Sequence, residues 1–246
     1  MAGRNKVVRK AMGISLFMFV AFLSVYFFIH SSFFDIEEVS VSGNRVVMTG
    51  EIKALSGIVP GANIFEVDTA SAAAAVAAHP MVNAVQISRH LPNRMEIKLT
   101  ERQPWAVIPA GTSFLVIDDC GVCIDRLSFM PGSACLIVTV DDLPPGVVPG
   151  KRVVPGAVRN IQNITSLLPR GVLAQISEFH AASNQDIFIY TLEGTEIRFG
   201  NQDRLREKVV MVREILDMER ELEPGEALEY VDLRYKGQPV VKYRGR

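Results

Sequence analysis

The feature that most constrains this chain is an uncharged run from Ala11 to Ile29, built mainly from large apolar residues such as Leu16, Phe17, Phe19, Val20, Phe22 and Phe27. As a helix it spans about 28 Å, close to the roughly 30 Å of a bilayer's hydrocarbon core. The run has no polar face, so it does not read as the amphipathic helix of a soluble core. Arg4, Lys6, Arg9 and Lys10 precede it without an acid. Basic residues are retained on the cytoplasmic side. The expectation is a cytoplasmic tail over 1–10 and a transmembrane helix over 11–30, with everything after His30 outside. Tyr26 and His30 sit near the far boundary, where amphipathic rings are favoured. A cleaved signal has a shorter apolar core and a small-x-small site. The stretch Phe28 to Phe33 offers no such site, so the anchor is expected to remain uncleaved.

The formal net charge of −1 hides an asymmetry. Removing the basic tip leaves 22 bases against 27 acids. A mildly acidic exported body argues against nucleic acid, which calls for a basic face. With 48% hydrophobic and 22% charged residues, the chain has the composition of an ordinary folded protein.

After the anchor, Ile36 to Ser42 ends in strand-like alternation, and Gly43-Asn44 marks a turn. Thr49 is placed to cap a short helix through Leu55, which Gly57 stops. Thr69 to Ala78 is nearly all alanine, a strong helix former, and Pro80 ends it. The runs Val82, Val85, Ile87 and Met95, Ile97, Leu99 flank Leu91-Pro92-Asn93 as a hairpin. The order is β-α-α-β-β, with two helices on one face of a three-stranded sheet.

Within this section, FDIEEVSVSGNR, IFEVD and HPMVNAVQISRHLPNRMEIKLTERQPWAV resemble a POTRA domain. The resemblance is carried by Gly43-Asn44, Ile64-Phe65 before Asp68, Pro80-Met81-Val82, Arg89 to Pro92 and Glu101 to Pro104. One POTRA copy behind a basic tail and a single anchor, followed by a β-rich section, resembles the bacterial cell-division proteins FtsQ and DivIB. The organisation this implies is a POTRA domain over 33–102 and an FtsQ-type β domain over 103–246, giving an α+β fold class.

The second section reads as strands around Trp105 and Val107, then Phe114 to Ile117, a turn at Gly121 and a return from Ile124. Leu143 to Gly156 is rich in Pro and Gly and reads as a loop. Helical spacing covers Val158 to Leu168, and again Gln202 to Glu221 through Leu205, Val209, Val212 and Leu216. Ile187 to Tyr190 and Glu196 to Phe199 form a hairpin across Glu193-Gly194. The last strands are Tyr230 to Tyr235 and Pro239 to Tyr243, on either side of Lys236-Gly237.

Motifs for chemistry are nearly absent. The sequence has no phosphate loop, nucleophile elbow or His pair at metal-ligand spacing, and the reading implies no catalytic residue, cofactor or metal. Asp118, Asp119 and Asp125 read as turn formers before a cation site. Cys120-Gly121-Val122-Cys123, with Cys135 besides, is the feature that favours a different class, an anchored thiol-disulfide protein. Such enzymes place the motif at a helix N-terminus, whereas here it falls at a hairpin tip. Two registers compete there. A Gly121-Val122 loop sets Cys120 against Cys123 and Asp118 against Asp125. A Cys120-Gly121 loop sets Ile117 against Ile124 and buries matched apolar residues, and it is the expected one. The cysteines are then unbonded and dispensable.

Val231, Leu233 and Tyr235 alternate with Asp232 and Arg234 as in a strand with one buried face. The final strand begins at Pro239, which suits a sheet edge, and Lys242, Arg244 and Arg246 guard it against random pairing. The resemblance implies a non-enzymatic divisome scaffold that binds FtsB and FtsL, with FtsK and septal peptidoglycan synthases as further partners. It implies no nucleic-acid or small-molecule partner, and inner-membrane lipid around the anchor. It also implies that Arg234, Tyr235, Pro239, Val240, Val241, Lys242 and Tyr243 dock FtsB. A POTRA-type transport or chaperone adaptor is the alternative.

Overall fold

In the computed structural model, which describes residues 2–132 and 135–245, the apolar run forms most of one helix, α1 (Ala2–Ile29). The stretch Met12–Ile29 has a mean hydropathy of 2.3 and none of it is buried, unlike a core helix. The helix starts before the expected Ala11, since nothing in the basic tail breaks it. The side chains of the tail lie outside the described residues.

The chain divides into two units, residues 1–101 and 102–246. In the first unit, β1 (Glu38–Ser42), α2 (Thr49–Ser56), α3 (Thr69–Ala77), β2 (Val82–His90) and β3 (Arg94–Glu101) follow α1 and a short 3-10 turn at Ser32–Phe34. The sheet order is β1-β3-β2. β1 runs parallel to β3, pairing Val39 with Met95 and Val41 with Ile97. β2 runs antiparallel to β3, pairing Ile87 with Ile97. The alternation along the central strand buries Met95, Ile97 and Leu99 against Ile52, Ala72 and Val76 of the helices. Asp68 caps α3 by accepting the N–H groups of Ala70 and Ser71. Thr49 is not the cap expected for α2. It is the first helical residue, and Met48 precedes it without a side-chain bond. Gly57 closes α2 in the left-handed conformation. Gly43 is obligatory, because a Cβ there would lie 1.9 Å from the Leu99 carbonyl oxygen.

The second unit is one nine-stranded sheet with helices. Its elements are β4 (Ala106–Ala110), β5 (Ser113–Ile117), β6 (Cys123–Leu127), β7 (Leu136–Val140), α4 (Pro155–Thr165), α5 (Arg170–Leu173), β8 (Ile176–Ala181), β9 (Ile187–Thr191), β10 (Glu196–Gly200), α6 (Leu205–Glu221), β11 (Leu228–Asp232) and β12 (Val240–Tyr243). The strand order is β12-β11-β10-β9-β8-β7-β4-β5-β6. Parallel neighbours occur at β4/β7, β7/β8 and β10/β11. Parallel strands need a crossover, and α4 and α6 supply two of them. Val158, Ile161 and Ile164 of α4 share one core with Val209, Val212 and Leu216 of α6, and with Phe179, Ile189, Ile197, Phe199 and Val231 of the strands. The class is the expected α+β.

Three expectations change in detail. α4 begins at Pro155 rather than Val158, with proline in the first turn where its missing N–H is harmless. The hairpin β5/β6 pairs Leu115 with Arg126 and Val116 with Asp125, the register expected from a Cys120-Gly121 loop. A bulge then pairs Ile117 with Cys123 instead of Ile124. That bulge turns Cys123 into the core, fully buried beside Leu115 and Ile117. Finally, β11 stops at Asp232, so Arg234 and Tyr235 lie outside the strand expected to contain them.

Candidate partner-binding edge

The ends of the nine-stranded sheet are finished differently. At the β6 end, residues 150–153 run alongside. Cys123 donates its N–H to Lys151 and accepts from Gly150, and Val153 donates to Gly121. At the other end lies β12. It pairs antiparallel with β11 through Asp232/Val240, Val231/Val241 and Tyr230/Lys242. Arg244 extends the pairing by donating its N–H to Ala227. Among the described residues no strand lies beyond β12. Its outer main-chain groups are therefore an unpaired row of donors and acceptors.

A tight bend leads into this edge, and polar side chains fix it. The Asp232 carboxylate, 6% exposed, accepts the backbone N–H of Arg234 at 3.0 Å and its Nη2 at 2.6 Å. Burial works to raise the Asp232 pKa, but these bonds and the guanidinium charge outweigh it and hold the carboxyl below its ordinary value. This side chain takes the N–H that would have continued the ladder, and β11 ends. Arg204 donates from Nη2 to the carbonyls of Leu233 at 3.1 Å and Tyr235 at 2.8 Å. The Arg234 stem lies over Gly200, where an added Cβ would come within 2.7 Å of Cγ. Lys208, fully buried, donates from Nζ to the carbonyls of Phe199 and Asn201 and holds the end of β10. Burial lowers its pKa.

The residues expected at the site separate into two kinds. Tyr235, Val240 and Tyr243 are exposed at 67%, 52% and 55%. Lys242 is exposed and paired with Glu229 at 2.8 Å. Pro239 lies just ahead of β12. Val241 packs against the core, so its side chain belongs to the fold. The Arg234 guanidinium is engaged with Asp232 rather than free. Tyr235 is not on the buried face that strand alternation implied, because the Asp232 and Arg204 bonds end the pleat before it.

The sequence reading missed the neighbours of the edge on the helix-free face. The Arg198 guanidinium lies over the Tyr230 ring at 3.8 Å, and Lys242 approaches the same ring at 5.6 Å. The signal was present in the alternation of Glu196, Arg198 and Tyr230 against buried Ile197, Phe199 and Val231.

Two other groups invite a chemical reading. On the same open face the hydroxyl of Thr139 lies 2.8 Å from His180 Nδ1, and His180 Nε2 lies 3.3 Å from Asp141. The Thr139 hydroxyl donates to Glu178. Its one proton is committed to a carboxylate, so His180 does not activate it as a nucleophile. Asp118, Asp119 and Cys120 also converge. Asp118 accepts the N–H groups of Cys120 and Val122 and pairs with Arg102 at 2.6 Å, as a turn former does. Cys120 and Cys123 carry free thiols. Burial first, and nearby acids next, raise both thiol pKa values. A thiol-disulfide enzyme needs the opposite shift.

The chain matches the FtsQ-type POTRA domain over residues 34–102. It matches the C-terminal part of cell division protein FtsQ/DivIB over residues 106–234, more than half of its length. Cell division protein FtsQ of Geobacter sp. (strain M21) is 28% identical over 218 residues, covering 84% of this chain and 75% of that protein. FtsQ of Anaeromyxobacter sp. (strain K) is 28% identical over 219 residues, covering 88% and 74%. FtsQ of Chloroflexus aurantiacus is 26% identical over 225 residues, covering 92% and 79%. A solved extracytoplasmic domain of DivIB from Geobacillus stearothermophilus aligns over 50% of this chain and 99% of that one, at 17% identity and a TM-score of 0.32. That likeness is too weak to bear on the fold. The C-terminal match stops at Arg234, so Tyr235 and β12 lie beyond it.

Proposed function

Because this chain belongs to the FtsQ/DivIB family of bacterial cell-division proteins, we propose that it is a non-enzymatic scaffold of the division machinery. The apolar helix α1 anchors it in the inner membrane, with the tail cytoplasmic and the folded part of both units outside, at the division septum. It binds FtsB- and FtsL-type partners and links early and late division proteins, FtsK among them, to septal peptidoglycan synthesis.

The observation that carries this reading is the contrast between the two ends of the sheet. Residues 150–153 bond to the chain at Gly121 and Cys123, where β6 begins, while among the described residues no strand pairs with the outer edge of β12. A partner strand adds there through main-chain bonds, and the alternate side chains Val240 and Lys242 supply the choice of partner. Tyr235 stands beside the edge as an aromatic anchor, a residue type enriched at binding hot spots. Asp232, Arg234 and Arg204 position it. Neither the committed Thr139 hydroxyl nor the thiols with raised pKa values offer a competing catalytic centre.

Co-purification from dividing cells tests the proposal. Tyr235→Ala should weaken recovery of FtsB by about 2 kcal/mol, some thirtyfold. Deletion after Gly237 should abolish recovery, while the α2/α3 unit keeps its thermal transition. FtsB recovered at wild-type levels with the deleted protein would place the docking site elsewhere. A fluorescent fusion should gather at mid-cell. A uniform envelope distribution would favour a transport adaptor.

A further inference from the structure

The membrane helix and the first sheet are joined at a point that the docking edge does not involve. α1 ends at Ile29, and the side-chain amide of buried Asn63 donates to the Ile29 carbonyl at 2.8 Å. That carbonyl is one of those a helix C-terminus leaves unpaired. Aromatic rings fill the same joint. Phe28, in the last turn of α1, stacks on Phe33 with centroids 6.2 Å apart and meets Phe34 edge-on at 5.2 Å. Phe34 in turn meets Phe65 at 5.1 Å. Phe34 is buried, but Phe33 is 58% exposed and Phe65 43%.

Backbone bonds gather three segments at this end of the sheet. The carbonyl of Asn93, in the turn between β2 and β3, accepts the N–H of Glu37 just before β1. Gly61 donates to Ile36, and Ile36 donates to Ala62. Segments 32–35, 59–65 and 91–93 thus lie together where α1 arrives. Each presents an apolar side chain to the outside: Phe33, then Val59 at 63% and Phe65, then Leu91 at 59%. Exposed apolar residues drawn from several adjoining segments mark a contact surface. The bases nearby are already engaged. Arg89 donates to the carbonyls of Ile64 and Val67, Arg94 pairs with Glu38, and His90 pairs with Glu96. The surface is therefore not a basic patch seeking anionic lipid; the acids Glu37 and Glu66 are exposed beside its apolar side chains.

We infer that this end of the first unit is seated in the outer headgroup layer of the membrane, with Phe33, Val59, Phe65 and Leu91 reaching toward the acyl boundary. The inference rests on reading α1 as a membrane anchor. Continuity with that anchor identifies the occupant. Phe28 belongs to the last turn of the span, and Phe33 is one ring contact from it, within a headgroup layer of roughly 5–7 Å per leaflet. The Asn63 bond to Ile29 then fixes the unit's orientation to the bilayer, so it does not swing on a free linker.

Single-tryptophan quenching tests this on the full chain in neutral phosphatidylcholine vesicles, with Trp105→Phe as background. The lipids carry bromine atoms high on the acyl chains in one set and deep in another. Leu91→Trp and Val59→Trp should show blue-shifted emission and lose most of their intensity to the shallow bromines, at low and high salt alike. Met48→Trp, a residue 77% exposed beside the Val47 bond to Glu101 at the far end of β3, should emit as in water. Val20→Trp, inside the span, should be quenched by the deep bromines. If Val20→Trp is quenched while Leu91→Trp and Val59→Trp behave like Met48→Trp, the seating is wrong and the anchor stands. If Val20→Trp escapes quenching as well, the anchor reading falls and the seating with it.

Discussion

The carboxylate of Glu101 accepts the backbone N–H of Val47 at 2.9 Å, joining residues 54 apart in sequence at the end of β3. It also accepts from Arg45 and Val46, each at 3.0 Å, and is itself 5% exposed. Burial raises the carboxyl pKa, but the three N–H bonds outweigh it and leave it below its ordinary value of 4.5. A carboxyl with a lowered folded-state pKa stabilises in full above its unfolded value and loses that stabilisation as pH falls through the folded one. Thermal melts of the full chain in detergent should therefore show the first unit weakening as the solution is taken below pH 4.5. Glu101→Gln should remove about 1–3 kcal/mol at neutral pH and flatten the acid decline. An unchanged acid slope in the variant would assign that decline to other groups.

Arg234 and Asp232 act as a pair, with consequences for how the edge is probed. Removing either should loosen the bend that carries Tyr235. Asp232→Ala and Arg234→Ala should weaken FtsB recovery to similar extents, and the double variant should be little worse than either. A severe loss with Arg234→Ala beside normal binding with Asp232→Ala would mean that Arg234 contacts the partner itself.

The two cysteines of the hairpin should behave differently, contrary to the expectation that both are dispensable. Cys120 is exposed, and Cys120→Ser should leave the melting temperature unchanged. Cys123 is fully buried among apolar residues, and Cys123→Ser places a hydroxyl there at a cost of about 1–3 kcal/mol. Cys123→Ala should be milder. A membrane-impermeant maleimide should label Cys120 on intact spheroplasts, slowly at neutral pH because its pKa is raised. Labelling that requires lysis would reverse the orientation proposed for the anchor.

Much of this architecture is legible in the sequence wherever neighbours in the chain are also neighbours in the sheet. The β2/β3 and β9/β10 hairpins show as alternation around a turn, and α6 shows in the spacing of Leu205, Val209, Val212 and Leu216. β7 and β8 were not read, because they pair parallel to each other across the whole of α4. In β8 a register shift between Ile176 and Glu178 also interrupts the alternation. The edge was legible as a strand starting at Pro239. The bend before it was not, since it depends on Arg204 reaching the carbonyls of Leu233 and Tyr235 from about thirty residues away. The bulge that buries Cys123 is likewise set by residues 150–153 alongside it, which no local pattern announces.

Photo-crosslinking in dividing cells tests the docking edge most directly. A photoreactive residue would replace Tyr235, Val240 or Tyr243 on the open edge, or Leu127 on β6, in the full-length protein. The docking account predicts adducts with FtsB from all three positions at the β12 edge and none from β6. FtsB captured at Leu127 but not at Val240 or Tyr243 would contradict it.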